Sequence, residues 1–290
     1  MKQKDKKLKL IGSEAFENYY FSLYESRWNN LKQSLFSENI YTEFHIPECK
    51  NYFLDPASVC AALCLPLDNA ADVLDMCAAP GGKSLVLSLN LKEEAKLTSN
   101  ERSGERKKRL ESVVSECLPS NIKERIFVTC SDGATLCQNK NLSFDSILLD
   151  APCSSERHVL NDKKYLDEWT PSRIKSLSQM QWALISSAYR LLRNNSFLLY
   201  STCALADSEN NQIIARLLKK YPDMSLVSSD EIKNIFNKNL SNAGNVFSEE
   251  SINLIEKTFS LAEKKDFGFH ILPDTASGSG PIYFSLLRKN

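Results

Sequence analysis

Asp75-Met76-Cys77-Ala78-Ala79-Pro80-Gly81-Gly82-Lys83-Ser84 is the stretch from which the fold is read. An apolar run, Ala71 to Leu74, leads into it, and a helix-forming run, Leu85 to Leu91, leaves it. The result is a strand-to-helix turn of small residues, and such turns hold ligands. Two kinds of ligand compete for it. Gly82-Lys83-Ser84 is the tail of a phosphate-binding loop, whereas Asp75 at the strand end suits a ligand that is positively charged or rich in hydroxyls.

Outward from this turn, short β-prone runs alternate with helical stretches. Candidate strands are 72–76, 96–100, 125–130, 144–150, 196–202, 268–272 and 281–287. Helices are expected near 82–90, 103–117, 171–193, where Thr170 caps and Pro171 opens, and 208–220, capped by Asp207. Residues 223–262 are polar and weakly patterned and read as an insertion before the last hairpin. Alternating strands and helices imply an α/β fold, a mainly parallel seven-stranded sheet with helices on both faces. In such a sheet the ligand sits beyond the carboxyl ends of the strands, where their order reverses.

Each strand end contributes a residue with chemistry. Glu101 lies 19 positions beyond Gly82, close to the separation at which an acid takes ribose hydroxyls, although alone such a residue is more often an N-terminal helix acid. Asp132-Gly133 fits an adenine-side acid or an ordinary turn. The strand 144–150 ends at Asp150 and runs into Ala151-Pro152-Cys153, and the strand 196–202 runs into Cys203. Neighbouring strands therefore present an aspartate and two thiols at one rim, both thiols following strand ends among polar residues, which favours chemistry over packing. A nucleotide triphosphatase would use the turn as its phosphate loop and Ile147-Leu148-Leu149-Asp150 as its second element. Against it, Cys77 stands where the first glycine belongs, Pro80 lacks an amide donor, and Asp75 places an anion beside the loop. Acids at 75, 101 and 132 suit a cationic adenosyl sulfonium better.

The remaining composition narrows the setting. With 36 basic and 36 acidic residues in 290, net charge gives no sign of nucleic-acid binding, so any basic surface is local: Lys2, Lys4, Lys6, Lys7 and Lys9, or Arg102, Arg106, Lys107, Lys108 and Arg109. Nine cysteines lack disulfide-scaffold spacing, and no signal-peptide core or membrane-length run is present, so a reducing, cytoplasmic setting is expected. The basic start contains Asp5 and no Arg, which fits a mitochondrial transit peptide poorly. His45, Cys49, Cys60 and Cys64 lack zinc-knuckle spacing, and the cysteines read as small buried core thiols, so no metal is expected. Residues 13–36 read as an aromatic helical arm with Phe16, Tyr20, Leu23, Tyr24, Trp28, Leu31, Leu35 and Phe36 on one face. The domain plan is a helical arm, 1–51, and a main domain, 52–290, whose first helix opens at Asp55-Pro56.

With these residues assembled, the chain resembles the Sun/RsmB-type (NSUN) RNA cytosine-5 methyltransferases. The matching elements are Leu74 to Lys83, Asn100-Glu101 with Arg106 and Arg109-Leu110, Asp132, Leu149-Asp150-Ala151-Pro152-Cys153-Ser154, Gln181, Tyr200-Ser201-Thr202-Cys203 and Glu209-Asn210. The likeness covers residues 52–288. Glu156-Arg157-His158 and Gly280-Pro281-Ile282-Tyr283-Phe284 are similar to the short members that include organellar enzymes. Two departures stand out: Arg193-Asn194-Asn195 replaces a Pro-Gly-Gly turn, a change expected to matter little for chemistry, and no separate RNA-binding domain is evident.

The resemblance implies a Rossmann-like class I methyltransferase that transfers a methyl group from S-adenosylmethionine to carbon 5 of cytosine in rRNA or tRNA. It implies cofactor contacts from Cys77, Ala78, Ala79, Pro80, Gly81, Gly82, Lys83, Glu101, Arg106, Asp132 and Asp150. Cys203 matches the nucleophile, Cys153 the second thiol, and Asp150 a residue that holds the cytosine edge. Lys83 reads as structural or RNA-facing rather than as a base. An RNA substrate, no membrane, and a protein partner supplying RNA specificity complete the expectation, with oligomeric state open. Two alternatives stand beside it: a DNA cytosine-5 methyltransferase using Cys153, and a non-catalytic RNA-binding assembly factor on the same fold.

Overall fold

Apolar strands alternating with amphipathic helices leave the chain one economical solution, a sheet buried between two helical layers. The computed structural model describes residues 11–290, and the Lys2 to Lys9 cluster lies outside them. In chain order the elements are α1 (Ser13–Tyr24), α2 (Trp28–Phe36), β1 (Thr42–Phe44), β2 (Tyr52–Leu54), α3 (Pro56–Leu63), β3 (Asp72–Asp75), α4 (Gly82–Ser88), β4 (Lys96–Asn100), α5 (Gly104–Cys117) and α6 (Ser120–Lys123). Next come β5 (Ile126–Thr129), β6 (Phe144–Asp150), α7 (Glu156–Asn161), α8 (Lys163–Asp167), α9 (Pro171–Leu191), β7 (Leu192–Thr202) and α10 (Asn211–Lys220). The chain closes with β8 (Met224–Leu226), α11 (Ser229–Asn242), α12 (Glu249–Ser260), β9 (Glu263–Lys265), β10 (Gly268–Ile271) and β11 (Ile282–Lys289).

The main sheet runs β5-β4-β3-β6-β7-β11-β10-β9, with β8 also beside β11. Strands β3 to β7 pair in parallel, and β11 inserts antiparallel between β7 and β10. From β3 the chain steps to β4 and β5 on one side, then returns to β6 on the other. The crevice of an open α/β sheet therefore opens at the β3–β6 boundary. The sheet has nine strands rather than seven; the two additions, β8 and β9, are three-residue edge strands too short to carry a sequence pattern.

Residues 223–262 do precede the last hairpin, β10–β11, and they are built into the fold: α11 buries Ile232, Phe236 and Leu240, α12 buries Ile255, and Phe236 stacks on Phe259 with ring centroids 3.8 Å apart. Asn239 on α11 donates to the carbonyls of Leu63 and Leu65, satisfying the open end of α3. The apolar stripe was diluted by polar outer faces. Asp207 and Thr170 do not cap backbone amides; Asp207 accepts from the side chains of Asn211 and Gln212, while Thr170 pairs with the Ser172 hydroxyl. The arm is also two helices, broken by a tight turn at Glu25–Arg27. That break rotates Leu23 and Phe36 outward, while Phe16, Tyr20, Trp28, Leu31 and Leu35 stay buried.

Those arm residues share a cluster with Val159, Leu160, Trp169, Ile174, Leu205 and Leu272. At roughly 1.5–3 kcal/mol for each large apolar side chain removed from water, the contact is a substantial part of the fold. Arg27 adds a clamp, bonding to Asp274 and Glu263 in the β9–β11 region. Strand β1 pairs with β2 in a two-stranded ribbon that spans residue 51. At the Arg193-Asn194-Asn195 departure, Asn195 adopts φ 59°, a left-handed conformation that Asn tolerates. Arg193 bonds Asp145 and Asp72, fastening the starts of β3, β6 and β7 together.

Candidate active site

The quoted turn closes β3 and is held from all sides. The Met76 amide donates to Leu148 O and the Ala78 amide to Asn100 O, so neighbours β6 and β4 fix its start. Asn100 then donates to the carbonyls of Met76 and Ser131. The Ala79–Pro80 bond is cis, and Gly81 sits at φ 125°, open only to glycine. A Cβ on Gly82 would lie 2.4 Å from Leu54 Cδ2 and 3.2 Å from the Tyr52 ring. The glycine therefore lets the turn meet the β2 ribbon at backbone distance.

Asp75 lies in the wall of the small cavity beside the turn. It is fully buried, accepts a 2.7 Å bond from the Ser84 hydroxyl, and keeps Oδ1 unpaired. Burial raises its carboxyl to about 7, with Ser84 opposing the rise and Asp150 adding to it. The strand-end aspartate thus braces the turn through Ser84 as well as lining the cavity; the Ser84 contact is the part that sequence did not show.

Glu101 and Arg106 brace the turn from β4 and α5. Glu101 is buried, takes the Ser103 amide on Oε1, and faces Arg106 Nη1 at 3.2 Å, yet Oε2 has no well-directed hydrogen-bond donor. Arg106 also donates to Ala79 O at 2.6 Å. An enclosed carboxylate oxygen short of a donor fits a ligand hydroxyl such as that of a ribose. Asp132 accepts the Ala134 amide on Oδ1, while Oδ2 lies 3.6 Å from Arg102, so it is a turn cap with one oxygen partly free. A cavity of about 140 Å³ is walled by residues of the turn, including Cys77, Pro80 and Gly82, together with Tyr52, Lys83 and Asp150. Glu101, Arg106 and Asp132 are not among its walls.

Beyond the turn, Asp150, Cys153 and Cys203 meet at the ends of β6 and β7. Parallel pairing sets Asp150 beside Ser201, whose hydroxyl donates to Asp150 Oδ1 at 2.8 Å. Lys83 bonds Asp150 Oδ2 at 2.8 Å. Burial works against the Lys83 ammonium, but the Asp150 charge and hydrogen bond outweigh it and hold its pKa above the ordinary value. Lys83 therefore stays charged at neutral pH and is no base. The Cys153 and Cys203 sulfurs are 3.0 Å apart, and the Ser155 hydroxyl is 3.2 Å from Cys203. Donation from Cys153 lowers the Cys203 thiol, burial opposes it, and Ser155 lowers it again. The same bond and burial push Cys153 up. The contact and its surroundings thus favour the anion at Cys203 over Cys153.

The two loops are set by a polar network beneath them. Gln181 donates to Pro152 O and to Glu209, and Glu209 accepts the Ser154 amide. Asn210 accepts from Thr202 and donates to Ala204 O, fixing the backbone on both sides of Cys203. Glu156 receives the Leu205 amide and the hydroxyls of Ser154 and Tyr20. Gln181, Glu209, Asn210 and Glu156 carried a family signal but no role in the sequence; Ser155 and Tyr20 carried no site signal at all. Each acts through a partner far along the chain. Cys203 and Ser155 open onto a second cavity of about 610 Å³, which Arg157, His158, Tyr41 and Pro281 also line and Cys153 does not. Cys60 and Cys64 are buried beside α12, with Cys60 bonding Ile255 O, whereas His45 pairs with Asn51 at the surface.

The site can present the Cys203 sulfur to a planar ring in the larger cavity, while the Asp150–Lys83 pair lines the smaller cavity beside the turn. Among the described residues no helix is long and apolar enough to cross a membrane. A family model described as 16S rRNA methyltransferase RsmB/F matches residues 62–271. The ribosomal RNA small subunit methyltransferase F of Erwinia tasmaniensis is 38% identical over 156 residues, 54% of this chain and 32% of that protein. The mitochondrial tRNA (cytosine(34)-C(5))-methyltransferase of Mus musculus is 31% identical over 241 residues, 83% of this chain and 64% of that protein. The chain thus spans between a third and two thirds of these relatives. A methyltransferase homologue from Pyrococcus horikoshii shares the fold, with TM-score 0.66 and 19% identity over 96% of this chain and 95% of that one.

Proposed function

The chain belongs to the RsmB/F family of 16S rRNA methyltransferases, and on that premise we propose that it methylates carbon 5 of cytosine in rRNA or tRNA, with Cys203 as nucleophile. The observation that carries the reading is the thiol pair, 3.0 Å apart, with only Cys203 of the two open to the larger cavity. Carbon 5 of cytosine is a poor nucleophile until a thiolate adds at carbon 6. Cys203 is the sulfur placed to add. In this reading Asp150, held by Ser201 and Lys83, is the group that bonds the ring edge where charge changes as the bond forms.

S-adenosylmethionine supplies an electrophilic methyl group on a sulfonium, and the Cys77 to Lys83 turn with Glu101, Arg106, Asp132 and Asp150 is the set that holds it in this reading. Glu101 Oε2, which has an ion-pair partner in Arg106 but no well-directed hydrogen-bond donor, supports a hydroxyl-bearing ligand on that side. After methylation the proton on carbon 5 passes to water in the open cavity, the electron pair of that C–H bond re-forms the ring double bond, and the carbon 6–sulfur pair returns to Cys203. Cys153, or a group it positions, assists this release. The target base must be unstacked to enter the cavity, which favours single-stranded or loop RNA.

In this reading the arm, residues 1–51, and the catalytic domain, 52–290, work as one unit, with a protein partner adding RNA specificity. All nine cysteines are free thiols, which supports a reducing compartment, here the cytosol.

The test is methyl transfer from labelled S-adenosylmethionine to RNA, with the product nucleoside identified. Label in 5-methylcytidine that disappears in Cys203→Ala supports the proposal. Transfer that survives Cys203→Ala but is lost in Cys153→Ala would transfer the nucleophile to the Pro-Cys thiol. Absence of S-adenosylmethionine binding by calorimetry would leave an RNA-binding assembly factor. Bisulfite sequencing of RNA from cells with and without the protein then identifies the substrate cytosine.

A further inference from the structure

We propose that Ser155 is a further catalytic residue, whose hydroxyl donates to the Cys203 sulfur and stabilises its anion both before it adds to the ring and as it leaves. The inference deepens the reading above and rests on Cys203 as nucleophile.

Three observations converge on it. Ser155 Oγ lies 3.2 Å from Cys203 Sγ, against 3.6 Å to Cys153 Sγ and 3.5 Å to Cys153 O. The nearest of these acceptors is also the sulfur that carries the charge in the reaction proposed above, and hydrogen bonds to ionised acceptors are the stronger kind. Next, Ser155 occupies the position before α7 where a serine ordinarily caps the helix, yet its side chain makes no capping bond. The hydroxyl has been turned from the helix toward the sulfur. Finally, the backbone there has φ 54° and ψ 62°, a left-handed conformation costing a non-glycine residue about 1–2 kcal/mol. Such strain persists where surrounding structure enforces it, as at active sites.

The surroundings give the hydroxyl a task. Asp150 at the end of β6 and Glu156 on α7 both oppose a negative sulfur at 203. Lys83 from α4 favours it, but both Asp150 and Cys203 draw on that one ammonium. Across the cavity stand Arg157, His158 and Asp55, and the Arg157 guanidinium is engaged with the carbonyls of Gly278 and Gly280. Two neutral donors therefore offset the acids, the thiol of Cys153 and the hydroxyl of Ser155. Only Ser155 shares the open cavity with Cys203, so it still faces the sulfur when a base is bound. In addition, a sulfur lone pair forms the bond to carbon 6 and the ring takes up the charge; in release that pair returns to sulfur. Ser155 keeps its own proton throughout and stabilises the anion at both ends of the cycle.

The test uses the full chain with Ser155→Ala, which keeps the strained backbone, and Ser155→Gly, which relieves it; both lack the hydroxyl. Alkylation of Cys203 by iodoacetamide is followed by peptide mass spectrometry across pH, without RNA or cofactor. Both variants are expected to move its alkaline limb up by about one unit, equal to a tenfold loss of thiolate below the limb. Methyl transfer at neutral pH is expected to fall about tenfold and to recover as pH rises, with Ser155→Thr restoring much of the difference. S-adenosylmethionine affinity should stay within about twofold of wild type. Wild-type alkylation profiles in both hydroxyl-free variants would overturn the proposal, whether or not affinity changes. Full methylation by Cys203→Ala would instead sink the nucleophile reading, while the alkylation profiles would still report on the Ser155–Cys203 contact.

Discussion

The sulfurs of Cys153 and Cys203 lie 3.0 Å apart although 50 positions separate them in the chain. Of the two only Cys203 opens onto the larger cavity, so loss of each should have a different outcome. Cys153→Ala leaves Cys203 able to add to the base but removes the group beside it that assists release. The expected result is an RNA–protein adduct that survives denaturation and accumulates on a gel with S-adenosylmethionine and RNA. Turnover should fall by about a hundredfold or more. Adduct in wild type but none in Cys153→Ala would reverse the two roles.

Lys83 and Asp150 form a pair whose partners are unequally shielded, with side chains 11% and 32% exposed. Lys83→Met removes the cation that holds Asp150 and favours the Cys203 anion. Because Asp150 stays partly solvated, the expected stability loss is only about 1–3 kcal/mol, below that for a fully buried pair. Methyl transfer should drop at least about tenfold. Urea unfolding and single-turnover rates together check the split; an unchanged rate would detach Lys83 from the chemistry.

Tyr20 on the arm donates to Glu156, 136 positions away, and Glu156 also receives the Leu205 amide two residues from Cys203. Tyr20→Phe deletes one donor to a buried carboxylate that retains two others. About 1–2 kcal/mol of stability should be lost. The rate of methyl transfer should fall several-fold with S-adenosylmethionine affinity unchanged, measured by calorimetry beside steady-state kinetics.

Asp75 gives a pH signature. Its carboxyl is raised from 3.8 to about 7 in the fold, so the folded chain holds a proton that the unfolded chain releases. The resulting stabilisation is complete below the unfolded value and is lost as pH rises through about 7. Asp75→Asn keeps an acceptor for Ser84 and cannot ionise. Its stability relative to wild type should rise between pH 4 and 8, by up to about 4 kcal/mol. Urea midpoints at three pH values test this; parallel curves would count against the buried acid.

Gly82→Ala should weaken S-adenosylmethionine binding, because the new methyl meets Leu54 Cδ2 at 2.4 Å. Displacing the turn from the β2 ribbon costs about 1–3 kcal/mol. Leu54→Ala in the same chain opens space and should recover part of the affinity; no recovery would place the defect in the backbone.

The sequence alone determined what depends on near neighbours. The turn at 75–84 is legible because small residues between an apolar run and a helical run admit few conformations, and the rim of Asp150, Cys153 and Cys203 because parallel strands end on one side. Tertiary structure decided which way those residues face and what holds them. Asp75 bonds Ser84, Asp150 is shared by Ser201 and Lys83, and Ser155 turns from its helix to a sulfur 48 positions on. The stripe of α11 and α12 and the path from Tyr20 to Glu156 belong to the same kind. Spacing along a chain records its periodicity, whereas the partner of a buried polar group is set by which surfaces pack together.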